Sequence, residues 1–264
     1  MKTITGRCAL STSSTIMTST QAEVMIIEFV SYLLGLIDAR EWDTFRSYTL
    51  EPSPAHFRAR ADIIAQIPEF NGMTLLHAAL KCDPPLELVR DMIRICPELT
   101  AARDCLGRTP LHVAAGSGAA PSLIKILVHV CPAACDVQDA DGKTPLHFAC
   151  DSSCVLFADD TKKESSAPKS APCHDVICAL LSGSLAAATI EDADEMNPIE
   201  NAIMSSASLE TIKLLQAAAR KHLRAACTTS CSFARPTTTM SRRTSRRVSV
   251  DSDTSCKGRE DLCP

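Results

Sequence analysis

Apolar positions recur at helical spacing through the middle of the chain. From Glu23, the residues Ile26, Ile27, Val30, Leu33, Leu34 and Ile37 fall three and four apart, which predicts an amphipathic helix. A second apolar segment, Trp42 to Leu50, follows almost at once, and residues 51–68, with Pro52, Pro54 and Pro68, read as a loop holding one short helix. Further on, Leu86, Leu88, Val89, Met92, Ile93 and Ile95 mark one helix. Leu123, Ile124, Ile126, Leu127 and Val130 mark another that begins near Pro121. Pro97 and Pro132 stop the two. A third such helix is expected from Asp175, with Val176, Ile177, Ala179, Leu180 and Leu181. A closing one carries Leu209, Ile212, Leu214, Leu215 and Ala218 and ends near His222. Residues 1–22 and 223–264 show no such period and are expected to be disordered tails.

Superimposed on this pattern is a phrase written three times. Asp104-Cys105-Leu106-Gly107-Arg108-Thr109-Pro110-Leu111-His112 returns 35 residues later as Asp139-Ala140-Asp141-Gly142-Lys143-Thr144-Pro145-Leu146-His147. The same offset backwards lands on Asn71-Gly72-Met73-Thr74-Leu75-Leu76-His77. A fixed period of this length is the mark of stacked supersecondary units, none of which can bury its apolar face alone. Each Thr (74, 109, 144) can cap a short inner helix, and Pro110 and Pro145 suit its first turn. A divergent fourth unit begins at Glu191, with Asn197-Pro198-Ile199-Glu200 in the same slot. His147 and Glu200 are 53 residues apart, one period plus an 18-residue insertion, which places a polar loop at about residues 157–174.

The phrase G-x-T-P-L-H-x-A-A resembles the ankyrin repeat. The resemblance implies an all-α solenoid of stacked helix-turn-helix units with short β-turn fingers, spanning residues 69–222, behind a degenerate helical cap at 23–68. The chain departs from the family's usual pattern in carrying Cys-Pro after the outer helix, with a period about two residues longer. It also implies a non-catalytic module that binds a protein partner on a concave surface and at loop tips. By position in the repeat, the contact candidates are Met73, Leu106, Arg108, Asp141 and Lys143 at the tips, with Lys81, Ser117 and Ser152 on the inner helices. The repeated Thr74/His77, Thr109/Pro110/His112 and Thr144/Pro145/His147 are given a fastening role: the His bonds to the loops and to the Thr of its own phrase.

Composition narrows the picture. Aromatic residues make up only 4% of a chain that is 45% hydrophobic, so the core is built from aliphatic side chains, Ala and Cys. No apolar run reaches the roughly 18 residues of a spanning helix, which argues against a membrane protein. The net charge of −4 is uneven. Residues 71–215 carry 11 basic and 19 acidic side chains, whereas residues 216–250 carry eight Arg or Lys and no acid. The acidic body favours a partner with a basic patch. Fourteen cysteines could suggest disulfides, but Cys96 and Cys131 occupy the same slot of successive repeats, each followed by Pro, and read as small buried apolar residues. That favours a reducing compartment, cytoplasm or nucleus. An organellar transit peptide in the Ser/Thr-rich first 22 residues stays open.

No G-x-S-x-G, phosphate-cradling Gly loop or H-E-x-x-H occurs, so no cofactor is expected and the chain reads as a non-enzyme. The one Cys/His cluster, His147-Cys150-Cys154, lacks a fourth ligand; a metal- or thiol-dependent enzyme is the reading it leaves open. Two R-R-x-S phrases in the tail, around Ser245 and Ser249, resemble substrate sites of basophilic protein kinases such as the cyclic-AMP-dependent family. The two serines are therefore candidate phosphoacceptors, and the alternative function is a phospho-regulated adaptor. The same arginines could contact nucleic acid, but no interleaved aromatics support base stacking.

Overall fold

The computed structural model describes residues 19–50, 57–58, 71–153 and 171–231. Among them there are helices and turns and no strand. In chain order the helices are α1 (Ser19–Asp38), α2 (Trp42–Thr49), α3 (Leu75–Lys81), α4 (Leu86–Ile95) and α5 (Pro110–Ser117). They continue with α6 (Pro121–Val130), α7 (Pro145–Cys150), α8 (His174–Gly183), α9 (Pro198–Met204) and α10 (Leu209–Cys231).

Two layers result. The inner layer stacks α3, α5, α7 and α9 in order; the outer layer stacks α4, α6, α8 and α10. α1 packs on α3 and covers the first repeat, and Arg46 of α2 pairs with Asp91 of α4. The core runs the length of the stack. Equivalent inner positions Leu76, Leu111 and Leu146 are buried, as are the outer positions Val89, Ile124 and Ile177. Each repeat thus contributes one aliphatic rung, and burying a side chain of this kind is worth about 1.5–3 kcal/mol. Asn201 breaks the pattern: it stands where the other repeats have Ala78, Val113 and Phe148, and its Nδ2 is buried without a hydrogen-bond partner among the described residues.

The Cys-Pro phrase after the outer helix opens a 3₁₀ turn, Pro97–Ala101 and Pro132–Asp136, in which Leu99, Ala134 and Cys135 are buried. A third turn, Ala186–Thr189, follows α8. The pattern of apolar residues did not predict these turns.

Three boundaries differ from the sequence reading. α1 begins at Ser19 rather than Glu23, and α8 at His174 rather than Asp175. α10 continues to Cys231, nine residues beyond the expected His222, so the stretch from 223 to 231 is helix rather than tail. Its composition explains this: Leu223, Arg224, Ala225 and Ala226 are strong helix formers, and no Gly or Pro intervenes before Pro236. The expected loop at 51–68, apart from residues 57–58, and the insertion up to residue 170 lie outside the described residues.

Candidate functional site: the finger row

The second, third and fourth repeats each project a turn built around an aspartate. Asp104 Oδ1 accepts from the N–H groups of Leu106 and Arg108, both at 2.9 Å. Asp139 does the same for Asp141 (3.0 Å) and Lys143 (2.8 Å), and Asp192 for Asp194 (3.0 Å) and Met196 (2.9 Å). The turn is closed by the backbone pairs Asp104–Arg108, Asp139–Lys143 and Asp192–Met196. Successive turns are then tied together, because Cys105 N–H donates to Asn71 C=O (2.7 Å), Ala140 to Leu106 (2.8 Å) and Ala193 to Asp141 (2.9 Å). Four fingers form one hydrogen-bonded ladder.

The fourth residue of each finger, three after the aspartate in the last three, needs a left-handed backbone. Gly72, Gly107 and Gly142 supply it, with φ of 72°, 74° and 74°. The fourth finger puts Glu195 there, at φ 61°. A residue with a Cβ in this region costs about 1 kcal/mol or more.

Behind the fingers, the repeated Thr and His lock each inner helix. Thr74, Thr109 and Thr144 form capping boxes with His77, His112 and His147. The Thr N–H donates to His Nδ1 at 3.2, 3.0 and 3.0 Å. With Nδ1 accepting, the proton sits on Nε2, which donates to the C=O of the next repeat: Arg108, Lys143 and Met196, each at 3.1 Å. One imidazole therefore caps its own helix and holds the neighbouring finger. Burial is the main cause that lowers the pKa of all three rings, that of His112 to about 4, partly opposed by their bonds to backbone carbonyls. In the fourth unit Asn197 and Glu200 keep the capping box, Glu200 accepting from Asn197 N–H at 2.9 Å. The carboxylate has no counterpart of the Nε2 donor, and no further finger lies beyond it among the described residues.

The sequence candidates fall into separate places. Leu106 (44% exposed) and Asp141 stand at neighbouring finger tips. Met73 and Lys143 are half-buried at the finger bases. Arg108 is turned inward: its Nε donates to Asp104 Oδ2 at 2.9 Å and its side chain is 13% exposed, so it holds the turn instead of projecting from the tip. Lys81 and Ser117 are exposed at the far ends of the inner helices, roughly 10 Å from the fingers at 1.5 Å per residue. Ser152 is half-buried there, its N–H bonded to Ser205 Oγ at 2.9 Å. Tips and helix ends are thus two rows. The sequence reading left out Glu191, Asp194 and Glu195, exposed beside Asp141 on the last two fingers. Aligning the fourth unit one residue at a time would have found them.

Cys82, Cys96, Cys105, Cys131, Cys135, Cys150, Cys173, Cys178 and Cys227 form no disulfide. Burial pushes the Cys135 thiol up to about 12 and raises that of Cys150 as well, so both are held protonated. Among the described residues no group of three His, Cys, Asp or Glu side chains could share a metal. Cys154, Ser245 and Ser249 lie outside those residues. No described helix is long and apolar enough to cross a membrane.

Residues 75–159 match the family model described as ankyrin repeats, in three copies. No curated protein matches the chain.

Proposed function

We propose that this chain, whose residues 75–159 are ankyrin repeats, is a non-catalytic module that receives a basic segment of a protein partner along its finger row. Ankyrin repeats generally mediate protein–protein interaction and are typically non-catalytic. What carries the more specific reading is the acidic end of the row. Asp141, Asp194 and Glu195 are exposed on two adjacent fingers whose backbones are fixed by the ladder. Successive repeats lie about 10 Å apart, the usual helix-packing distance, so the carboxylates form a rigid, extended rail that a Lys- or Arg-rich segment matches. Glu195 adds to this argument. The turn requires its left-handed backbone, and where the other three fingers use glycine it sets a carboxylate beside the tip. The engaged imidazoles and the protonated buried thiols support a binding role over a catalytic one.

The experiment is affinity capture with the full-length chain, wild type against Asp141→Lys/Asp194→Lys/Glu195→Lys. Partners that use the rail should be lost from the variant and released from the wild type by about 0.5 M salt, since exposed charge pairs are screened. An unchanged set of partners sinks the reading.

A regulated form of the same reading is favoured by the two R-R-x-S phrases of the tail. Phosphorylation of Ser245 and Ser249 by a basophilic kinase would each add about −1.5 to −2 charge and cancel most of the local arginine charge. A basic tail competes for the acidic rail; a phosphorylated one does not. Asp and Ala substitutions at both serines should then give different partner affinities, and equal affinities in all forms would count against regulation.

A further inference from the structure

The far end of the stack is the surface of an interior repeat left open. Three positions show it. Ile203 is the counterpart of Leu80, Ala115 and Cys150, which are 0%, 5% and 0% exposed, yet Ile203 is 54% exposed. Ile199 corresponds to Leu76, Leu111 and Leu146, and Ile212 to Val89, Ile124 and Ile177. Both isoleucines are only half-buried where their six counterparts are buried. In each earlier repeat these positions are covered by the next pair of helices. A closing repeat ordinarily carries polar residues there, because its outer face meets water. This one keeps isoleucine at all three, with Met204 (77% exposed) and Leu209 (65% exposed) beside them.

α10 extends the open face. Leu209, Ile212, Gln216 and Leu223 are spaced three, four and seven apart and share one side of the helix. Leu223 is 57% exposed. Along one border of that stripe runs the row Lys213, Arg220 and Arg224, all exposed. None of the three forms an ion pair among the described residues. Glu200, the carboxylate of the inner helix α9, accepts from the Asn197 N–H, and the exposed Glu210 stands three residues before Lys213 on α10 without an ion pair to it.

We infer that this end face is a docking surface for an acidic amphipathic helix supplied by a partner protein, lying where a further repeat would stack. The shape argument and the charge argument select the occupant together. Every preceding repeat presents the same positions to α-helices, so the complementary shape is a helix with aliphatic residues at three- and four-residue spacing. The unpaired cations on the border require acidic residues flanking that stripe. A second copy related by a two-fold axis would bring an identical basic row against this one, and the acidic fingers of a copy set head to tail present turns instead of a helix. Residues 232–250 of the chain itself carry five arginines and no acid and are repelled by the basic row. Residues 251–264 hold four acids, but Leu262 is their sole aliphatic residue, so they have no stripe to fill the face. The surface is distinct from the finger row in place and opposite to it in charge, so the two can hold different partners, or two parts of one.

The test uses the full-length chain and a fluorescein-labelled peptide of about 15 residues, held helical by a side-chain lactam bridge, with Leu at i, i+3, i+4 and i+7, Glu flanking the Leu stripe and Ala elsewhere. Fluorescence anisotropy should show binding that weakens on raising salt from about 50 to about 300 mM. Ile203→Glu and Arg220→Glu/Arg224→Glu should each weaken it by about tenfold or more, equivalent to ~1.4 kcal/mol. Asp141→Lys on the finger row should leave it unchanged, so failure here and failure of the rail are told apart. The same peptide with Lys for Glu should not bind the Asp141→Lys/Asp194→Lys/Glu195→Lys chain, in which the charge of the finger rail is reversed. The inference is overturned if the acidic peptide does not bind, or binds all variants equally. It is also overturned if sedimentation shows a wild-type dimer that Ile203→Glu dissociates, which would make the occupant a second copy. Deletion of residues 232–264 that raises peptide affinity about tenfold would assign the face to the chain's own tail. Binding to phosphatidylserine vesicles with the same sensitivity to Arg220→Glu/Arg224→Glu, and none to the peptide, would assign it to a lipid surface. Ile203, Arg220 and Arg224 are exposed, so none of these substitutions removes a core contact.

Discussion

The repeated histidine shows how much one side chain can settle. Its Nδ1 accepts from the capping Thr and its Nε2 donates to the next repeat, so the neutral ring is the one the fold uses. A proton added at Nδ1 would face a backbone N–H and break the capping box. Burial lowers the pKa of His112 to about 4, against an ordinary 6.5 in the unfolded chain. Between those values the unfolded state binds more protons, so stability falls as pH drops from about 6.5 towards about 4. His112 alone should remove roughly 3 kcal/mol across that window, with His77 and His147 adding in the same direction. Urea unfolding at pH 7, 5.5 and 4.5 measures it. His112→Gln, less stable at pH 7 by about 1–2 kcal/mol for the lost cap, should show a shallower slope across the same range.

At the scale of the element, the finger is decided by how closely two backbones approach. Gly142 and Gly118 have nearly the same φ, 74° and 72°. A Cβ on Gly118 would meet nothing within 4 Å, whereas one on Gly142 would stand 2.8 Å from Ala193 N and 3.1 Å from the backbone of Asp192. Gly118→Ala therefore costs only the left-handed strain, about 1 kcal/mol. Gly142→Ala must also push the fourth finger away and break the Ala193–Asp141 bond, for a total of about 2–4 kcal/mol. Thermal melts of the two variants, compared under one set of conditions, should show the larger drop for Gly142→Ala. Equal drops would mean that the fourth finger is not held by the ladder.

For the molecule as a whole, stability and binding are expected to pull apart at Glu195. Replacing it with Gly, the residue at the other three fingers, should relieve the strain at φ 61° and raise stability by up to ~1 kcal/mol. The same change removes one carboxylate from the rail and should lower affinity for a basic partner. A melt and a binding isotherm on Glu195→Gly check both halves; a variant that gains stability without losing affinity would remove Glu195 from the site. The stack transmits such changes only between neighbours, because each repeat touches the one before and the one after.

The sequence by itself determined the all-α stack, its 35-residue period and the identity of its fastening residues. A repeat's apolar stripe and its capping residues are local features, and periodicity exposes them without coordinates. It also placed the fourth unit, since Asn197 and Glu200 fill the slots of Thr and His with residues of the same capping ability. What it could not decide was which side chains a given position leaves free. Arg108 and Asp141 stand in fingers of the same sequence form, yet one is drawn onto Asp104 and the other projects into solvent. Only the tertiary structure settles that, because the choice depends on a carboxylate brought within 2.9 Å by the turn itself. The open end of the stack was likewise hidden in the sequence. Ile199, Ile203 and Ile212 have the same apolar character as their buried counterparts, and exposure arises solely because no described helix packs beyond them.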